Sequence, residues 1–241
     1  MEHSLNYLLL LLLMTVILPA HASLKIAVAS NFKITLEEIV SRYQLQSKQK
    51  ILISSGSTGV LYNQIRHGAP FDLFLSADSE RAKLIEQSAL GIKGSRFTYA
   101  QGALAFWKPK DDTSTEQSSL LNYQGRVAIA NPKLAPYGFA AKQALMSLNM
   151  WSKLSYIQGN NVAQTYQFVD TGNIEAGFVA YSLLLQNNAS HYYLLPVESY
   201  QPILQQAVKL KTSKDPKAVQ DFIDFLQSPE IKRLIQSKGY L

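Results

Sequence analysis

The chain has 241 residues, 47% hydrophobic and 17% charged, a composition that excludes a disordered or fibrous protein. It contains no cysteine, which excludes disulfides, thiolate metal sites, cysteine nucleophiles and a lipid-modified N-terminal cysteine. Twenty-three Lys and Arg against 17 Asp and Glu give a net charge of +6, but they are scattered, and the nearest cluster, Lys108-Pro109-Lys110, is neutralised by Asp111-Asp112. That scatter argues against nucleic acid or an anionic membrane as partner. The length fits one large domain or two lobes of about 100 residues each.

Residues 7–18 (YLLLLLLMTVIL) form an apolar run too short for a membrane span, which takes about 20 residues. Pro19 breaks the run, and Ala20-His21-Ala22 follows with small residues at the two cleavage-pocket positions. No Lys or Arg precedes the run, which departs from the usual pattern. Residues 1–22 are therefore expected to be a secretory signal peptide cleaved after Ala22.

From there strands alternate with helices. Leu24–Ala29 reads as a buried strand, with Ser30 and Asn31 as capping residues and Leu36, Ile39, Val40 and Tyr43 on one helical face. A strand at 51–53, a polar turn 54–59 and a helix carrying Leu61 and Ile65 repeat the unit, and a strand at 72–76 leads to a helix at 79–87. The pattern returns with a strand at 126–130, a turn through Pro136-Tyr137-Gly138 and a helix bearing Ala141 and Leu145. Next come a strand at 155–158, a turn Gly159-Asn160-Asn161 and a helix bearing Val162, Tyr166 and Val169. Residues 176–181 read as another buried strand, and segment 110–124 as a polar surface excursion. Two helices close the chain, each with a capping residue before a proline, at Asp215-Pro216 and Ser228-Pro229. The alternation predicts α/β layers with mostly parallel sheets, and no internal repeat is visible.

Four of these turns share one layout: strand, short polar loop, helix. In an open α/β sheet ligands bind beyond the carboxyl ends of the strands, and free N–H groups at helix starts favour an anion. The side chains offered are Ser30, Asn31, Ser57, Thr58 and Tyr137, all uncharged and able to donate. The same residue types also serve simply as caps. A fully ionised tetrahedral oxyanion is matched by donors on every side; hydrogen phosphate keeps a proton and benefits from a carboxylate acceptor, which these loops lack. About seven charge-assisted hydrogen bonds at roughly 1.5–3 kcal/mol each exceed an association cost of at least about 4 kcal/mol, so tight binding needs no positive side chain.

The sequence resembles the periplasmic molybdate-binding proteins of ABC-type importers. The stretches that carry the resemblance are AVASNF (27–32), SSGSTGVLYNQI (54–65), GAPFDLFLSAD (68–78), SRFTYAQGALAFW (95–107), ANPKLAPYGFAA (130–141), QGNNVAQTYQFVDTGNIEAGFVAYS (158–182) and the closing Gly239-Tyr240. The resemblance implies an α/β type II periplasmic binding protein fold: two α/β lobes with mostly parallel sheets, joined by two crossover strands. It implies a first lobe of residues 23–102 and 203–241 and a second of 103–202. It implies a monomer that captures molybdate or tungstate and delivers it to a membrane permease, with no cofactor. The implied contacts are Ser30 with Asn31, Thr58 beside Ser57, Tyr137 through its N–H and Val162 through its N–H. Some members add a tyrosine from the strand before the second crossover. That position is Ala180 here, and Tyr181, one step along a strand, is expected to face the other way.

Catalysis finds little support. His67 and His191 lack metal-ligand spacing and read as solvated or helix-end residues. Gly56-Ser57-Thr58-Gly59 is neither a nucleophile elbow nor a phosphate loop. Glu37-Glu38 and Asp111-Asp112 are adjacent pairs, which do not face each other on a helix. Trp107 and the tyrosine-rich 192–200 read as core and interface. Two alternatives stand: the same fold carrying sulfate, phosphate or another small anion, and an exported hydrolase using Ser57 or Thr58, for which no general base is evident.

Overall fold

A computed structural model describes residues 23–111 and 115–241. The signal peptide expected over 1–22 lies outside the described residues, as does Asp112.

The first sheet is built from β1 (Leu24–Ala29), β2 (Ile51–Gly56), β3 (Leu73–Ser76), β4 (Phe97–Gly102) and β10 (Ile203–Lys209), in the order β2-β1-β3-β10-β4. The second uses β5 (Leu104–Trp107), β6 (Arg126–Ala130), β7 (Ser155–Gly159), β8 (Ala176–Ala180) and β9 (Tyr192–Leu194), in the order β7-β6-β8-β5-β9. These are the sheets of two α/β lobes. Each is mixed in the same way. β1 runs parallel to β2 and β3, and β6 parallel to β7 and β8. β10 is antiparallel to β3 and β4, and β5 to β8 and β9. The antiparallel strand in each sheet is the one that has just crossed from the other lobe, so it enters in the reverse direction.

Helices α1 (Lys33–Gln44, after a 3-10 turn at Ser30–Phe32), α2 (Thr58–Arg66), α3 (Ser79–Gln87), α8 (Pro216–Leu226) and α9 (Pro229–Ser237) cover the first sheet. Helices α4 (Gln117–Leu121), α5 (Pro136–Ser147), α6 (Val162–Asp170) and α7 (Tyr181–Gln186) belong to the second. Their starts follow from capping chemistry. Asp78 accepts from Arg81 N at 2.8 Å, Asn161 from Gln164 N at 3.0 Å, Asp215 from Ala218 N at 2.9 Å and Ser228 from Ile231 N at 3.4 Å. Two sequence expectations are corrected. The polar segment 110–124 contains α4, whose Leu120 is fully buried. The strand expected to reach Tyr181 stops at Ala180: the Tyr181 N–H still reaches Ala103 O, its antiparallel partner, at 2.9 Å, but Tyr181 already opens α7.

The face predicted for α8, with Val219, Phe222, Ile223 and Leu226, packs into the first lobe's core beside Phe32, Leu36 and Ile39. Phe222 is fully buried and meets Tyr43 edge-on at 5.3 Å. Phe222→Ala is expected to cost about 3–5 kcal/mol, since transfer and cavity terms add. Urea unfolding measures it, and a loss under about 1 kcal/mol would mean that the core collapses around the gap.

Candidate functional site

The two sheets place four equivalent loops face to face. Ser30 follows β1, and Thr58 opens α2 after β2. In the second lobe Tyr137 lies in the first turn of α5 after β6, and Val162 opens α6 after β7. The first of these loops, at Ser30–Phe32, packs against α6 and α7 of the opposite lobe. Between the lobes runs a crevice lined by Ser30, Ser55, Asn160, Asn161, Ala163, Gln164 and Gln167, none of them charged. Ser30, Ser57, Thr58, Tyr137 and Val162 are all buried.

Backbone accounting shows which groups are committed. At the start of α2, Val60 N donates to Ser57 Oγ at 3.4 Å, Leu61 N donates to Ser57 O at 3.0 Å, and Gly59 N crosses to Leu134 O at 2.8 Å. Thr58 N has no partner among the described residues. Thr58 Oγ1 accepts from Ala77 N at 3.0 Å, so its proton is left to donate. In α5, Pro136 has no N–H and Phe139 N closes on Ala135 O at 3.0 Å, which leaves the N–H groups of Tyr137 and Gly138. In α6, Asn161 takes Gln164 N through its side chain and Thr165 N through its carbonyl, which leaves those of Val162 and Ala163. These helix starts thus keep the N–H and hydroxyl of Thr58 and the N–H groups of Tyr137, Gly138, Val162 and Ala163 as free donors.

Two expected residues also hold the fold. Ser57 caps α2 with Oγ as acceptor, which leaves its hydroxyl proton to donate as in Thr58. Asn31 turns its Nδ2 to Gln205 Oε1 at 2.9 Å and to the Tyr240 hydroxyl at 3.4 Å, while Tyr240 donates to Asn31 O at 2.8 Å. Its Oδ1 is buried without a partner. Tyr181 heads α7 with its ring 5.6 Å from that of Tyr192, so the strand-alternation argument does not apply to it. His67 ends α2 with Nδ1 2.7 Å from Asn63 O, the expected helix-end histidine. Trp107 is buried, stacked on Tyr166 at 4.8 Å, with Nε1 donating to Ser190 O at 3.0 Å.

Sequence reasoning missed what joins the lobes. Besides Gly59 and Leu134, Arg81 Nη2 donates to Lys133 O at 2.9 Å and Thr35 Oγ1 to Gln186 Oε1 at 3.1 Å. Gln205 is fully buried, and its Nε2 donates to the Tyr137 hydroxyl at 3.3 Å. A side chain on Gly59 would stand 2.8 Å from Leu134 O, so glycine is required for this approach. Of these, Gly59 lay inside a matched stretch and Tyr240 in the closing pair; nothing local marks Gln205.

Comparison with known proteins gives one consistent picture. The family model for bacterial extracellular solute-binding proteins matches residues 24–241. The molybdate-binding protein ModA of Azotobacter vinelandii is 38% identical over 226 residues, covering 91% of this chain and 90% of the relative. That of Rhodobacter capsulatus is 37% identical over 236 residues, covering 96% and 94%. The solved structure of the periplasmic molybdate-binding protein of Azotobacter vinelandii superposes with a TM-score of 0.87 at 34% identity, covering 91% of this chain and 99% of that one.

The buried phenols around the site stay neutral. Burial pushes Tyr240 up to about 12 and holds Tyr137 and Tyr99 well above the ordinary tyrosine value. The unfolded chain has phenols near about 10, so between roughly pH 10 and 12 it binds fewer protons than the folded one, and stability falls as pH rises. Below pH 10 this contribution is constant. Urea unfolding at pH 8 and 11 should show the loss, and Tyr240→Phe should lose less between the two; equal losses would remove Tyr240 from the account.

Proposed function

The chain belongs to the bacterial extracellular solute-binding protein family, and on that premise we propose that it captures molybdate, or tungstate, in the periplasm and delivers it to the membrane permease of an ABC importer. Its relatives are substrate-binding transport proteins, so it is a binding protein and not an enzyme, and it needs no cofactor. The observation that carries the reading is the set of four helix starts, two from each lobe, that keep uncommitted donors where the lobes meet, with Ser30 and Ala163 lining an uncharged crevice between them.

In this reading Ser30 donates through Oγ and Thr58 through Oγ1 and N–H, while Tyr137 and Val162 donate through their N–H groups. Asn31 commits its side-chain amide protons to Gln205 and Tyr240, while Ser57, which caps α2 by accepting an N–H, keeps its hydroxyl proton for the ligand. A tetrahedral dianion offers four oxygens and no proton. It therefore gains a donor at each oxygen, and the helix dipoles add to the attraction without a buried counter-charge. Phosphate at neutral pH brings a proton that no side chain lining the crevice, free of Asp and Glu, accepts as a carboxylate. Ser57 Oγ and Thr58 Oγ1 each accept a backbone N–H and have no His, Asp or Glu as hydrogen-bond partner, an arrangement suited to binding rather than to nucleophilic attack.

Export follows from the apolar segment 1–22, with cleavage after Ala22, and the mature chain acts as a monomer of two lobes, residues 23–102 with 203–241 and residues 103–202. Contacts from both lobes make closure a consequence of binding, a hinge motion biased by the ligand.

Isothermal titration calorimetry on residues 23–241 tests the reading. Tight one-to-one binding of molybdate and tungstate, with sulfate and phosphate far weaker, is expected. Equal or tighter sulfate binding would move the function to another anion importer. Thr58→Val should weaken molybdate binding by at least about 1 kcal/mol, because a buried donor is lost. An unchanged affinity would remove Thr58 from the site.

A further inference from the structure

Gln205 stands where the two lobes meet, and its amide has partners in both. It lies on β10, the strand that returns from the second lobe, and is completely buried. Oε1 accepts from Asn31 Nδ2 at 2.9 Å and from the Tyr99 hydroxyl at 3.1 Å, both in the first lobe. Nε2 donates to the Tyr137 hydroxyl at 3.3 Å, in the second. Tyr137 reaches it by passing over Gly102, at the end of β4; a side chain there would fall onto the phenol oxygen and stand 3.0 Å from Gln205 Nε2. The residue next to Ser30 and the residue that opens the third loop are thus tied to one amide group.

We propose that Gln205 is a positioning residue for the ligand, and that its hydrogen bond to the Tyr137 hydroxyl is the lock that holds the lobes closed. The proposal rests on the reading that Tyr137 faces the oxyanion through its N–H. One residue then has two ends: its backbone meets the ligand and its phenol enters the first lobe. The N–H of Tyr137 is fixed to the first lobe only when the phenol is seated on Gln205, so ligand capture and closure become one event. The lock is neutral at both ends and is formed or broken without moving a proton.

The prediction is a change in opening rate. The chain has no cysteine, so Lys48→Cys and Lys153→Cys, both exposed, take a donor and an acceptor dye without competing sites. These positions precede the edge strands β2 and β7, whose far ends flank the crevice, so hinge motion changes the distance between them. Stopped-flow energy transfer with molybdate is then compared for the labelled parent, Tyr137→Phe, Gln205→Met and the double variant. Tyr156→Phe is the control, since its hydroxyl donates to Trp151 O at 2.6 Å within one lobe. Tyr137→Phe and Gln205→Met should each raise the opening rate about tenfold, the worth of one buried hydrogen bond. The double variant should stay within about twofold of Gln205→Met, because the same bond is lost only once. Tyr156→Phe should match the parent.

Parental opening rates in Tyr137→Phe and Gln205→Met would overturn the proposal, as would single effects that multiply in the double variant. If Gln205→Met fails to fold, Tyr137→Phe against Tyr156→Phe decides. If molybdate leaves the parent's energy transfer unchanged, the oxyanion reading fails by itself. The lock is then read from single unliganded molecules: a smaller high-transfer population in Tyr137→Phe supports it, and equal populations overturn it.

Discussion

A helix begins with N–H groups that its own turns leave unbonded, and burying one without a partner costs about 1–3 kcal/mol. The molecule gathers such starts from two sheets where the lobes meet. Both sheets have the same strand order and the same two antiparallel pairings. The loops after β1 and β6 are therefore equivalent, as are those after β2 and β7. Each sheet supplies its loops at the carboxyl ends of parallel strands, where the order reverses and a gap opens. The unsatisfied donors make the closed interior costly when empty and favourable when an anion fills it.

Neutrality is the second constraint. A buried ammonium or guanidinium would attract an oxyanion more strongly, but desolvating it costs several kcal/mol and leaves a charge unpaired whenever the ligand departs. The described polar groups between the lobes avoid this. Gly59 with Leu134, Thr35 with Gln186 and Gln205 with Tyr137 are neutral pairs. Arg81, a cation at the seam, keeps Asp78 as its counter-ion at 2.5 Å while it reaches Lys133 O. The phenols of Tyr99, Tyr137 and Tyr240 add to the buried hydroxyl population without adding charge, because burial raises their pKa values.

What could be read in the sequence was local. The helix starts at Thr58, Pro136, Val162, Pro216 and Pro229 were visible, because a cap and a helical period lie within a few residues of each other. Ser30, Ser57, Thr58, Tyr137 and Val162 keep uncommitted donors, and these were signalled by the loop-to-helix starts. Asn31 looked equivalent to its neighbours because sequence shows a donor but not its partner, and its partners are Gln205 and Tyr240, 174 and 209 residues away. The repeat of sheet topology left no trace either, since the same strand order is specified by different apolar residues. Tyr181 misled for a related reason: the apolar run of the strand continues through it toward Leu183 and Leu184, and nothing in that run marks where α7 begins.

A binding protein for an importer must also let go. Among the described residues four polar contacts join the lobes across the crevice and seam: Gly59 to Leu134, Arg81 to Lys133, Thr35 to Gln186 and Gln205 to Tyr137. At about 0.5–1.5 kcal/mol each they sum to a few kcal/mol. That is the range in which a two-state equilibrium is tipped by one ligand's differential contacts. A seam of buried ion pairs would exceed it, since breaking one such pair alone costs about 3–5 kcal/mol. Few and mostly neutral bonds between the lobes, against charge-assisted ones to the ligand, leave the ligand as the deciding partner in the proposed closure.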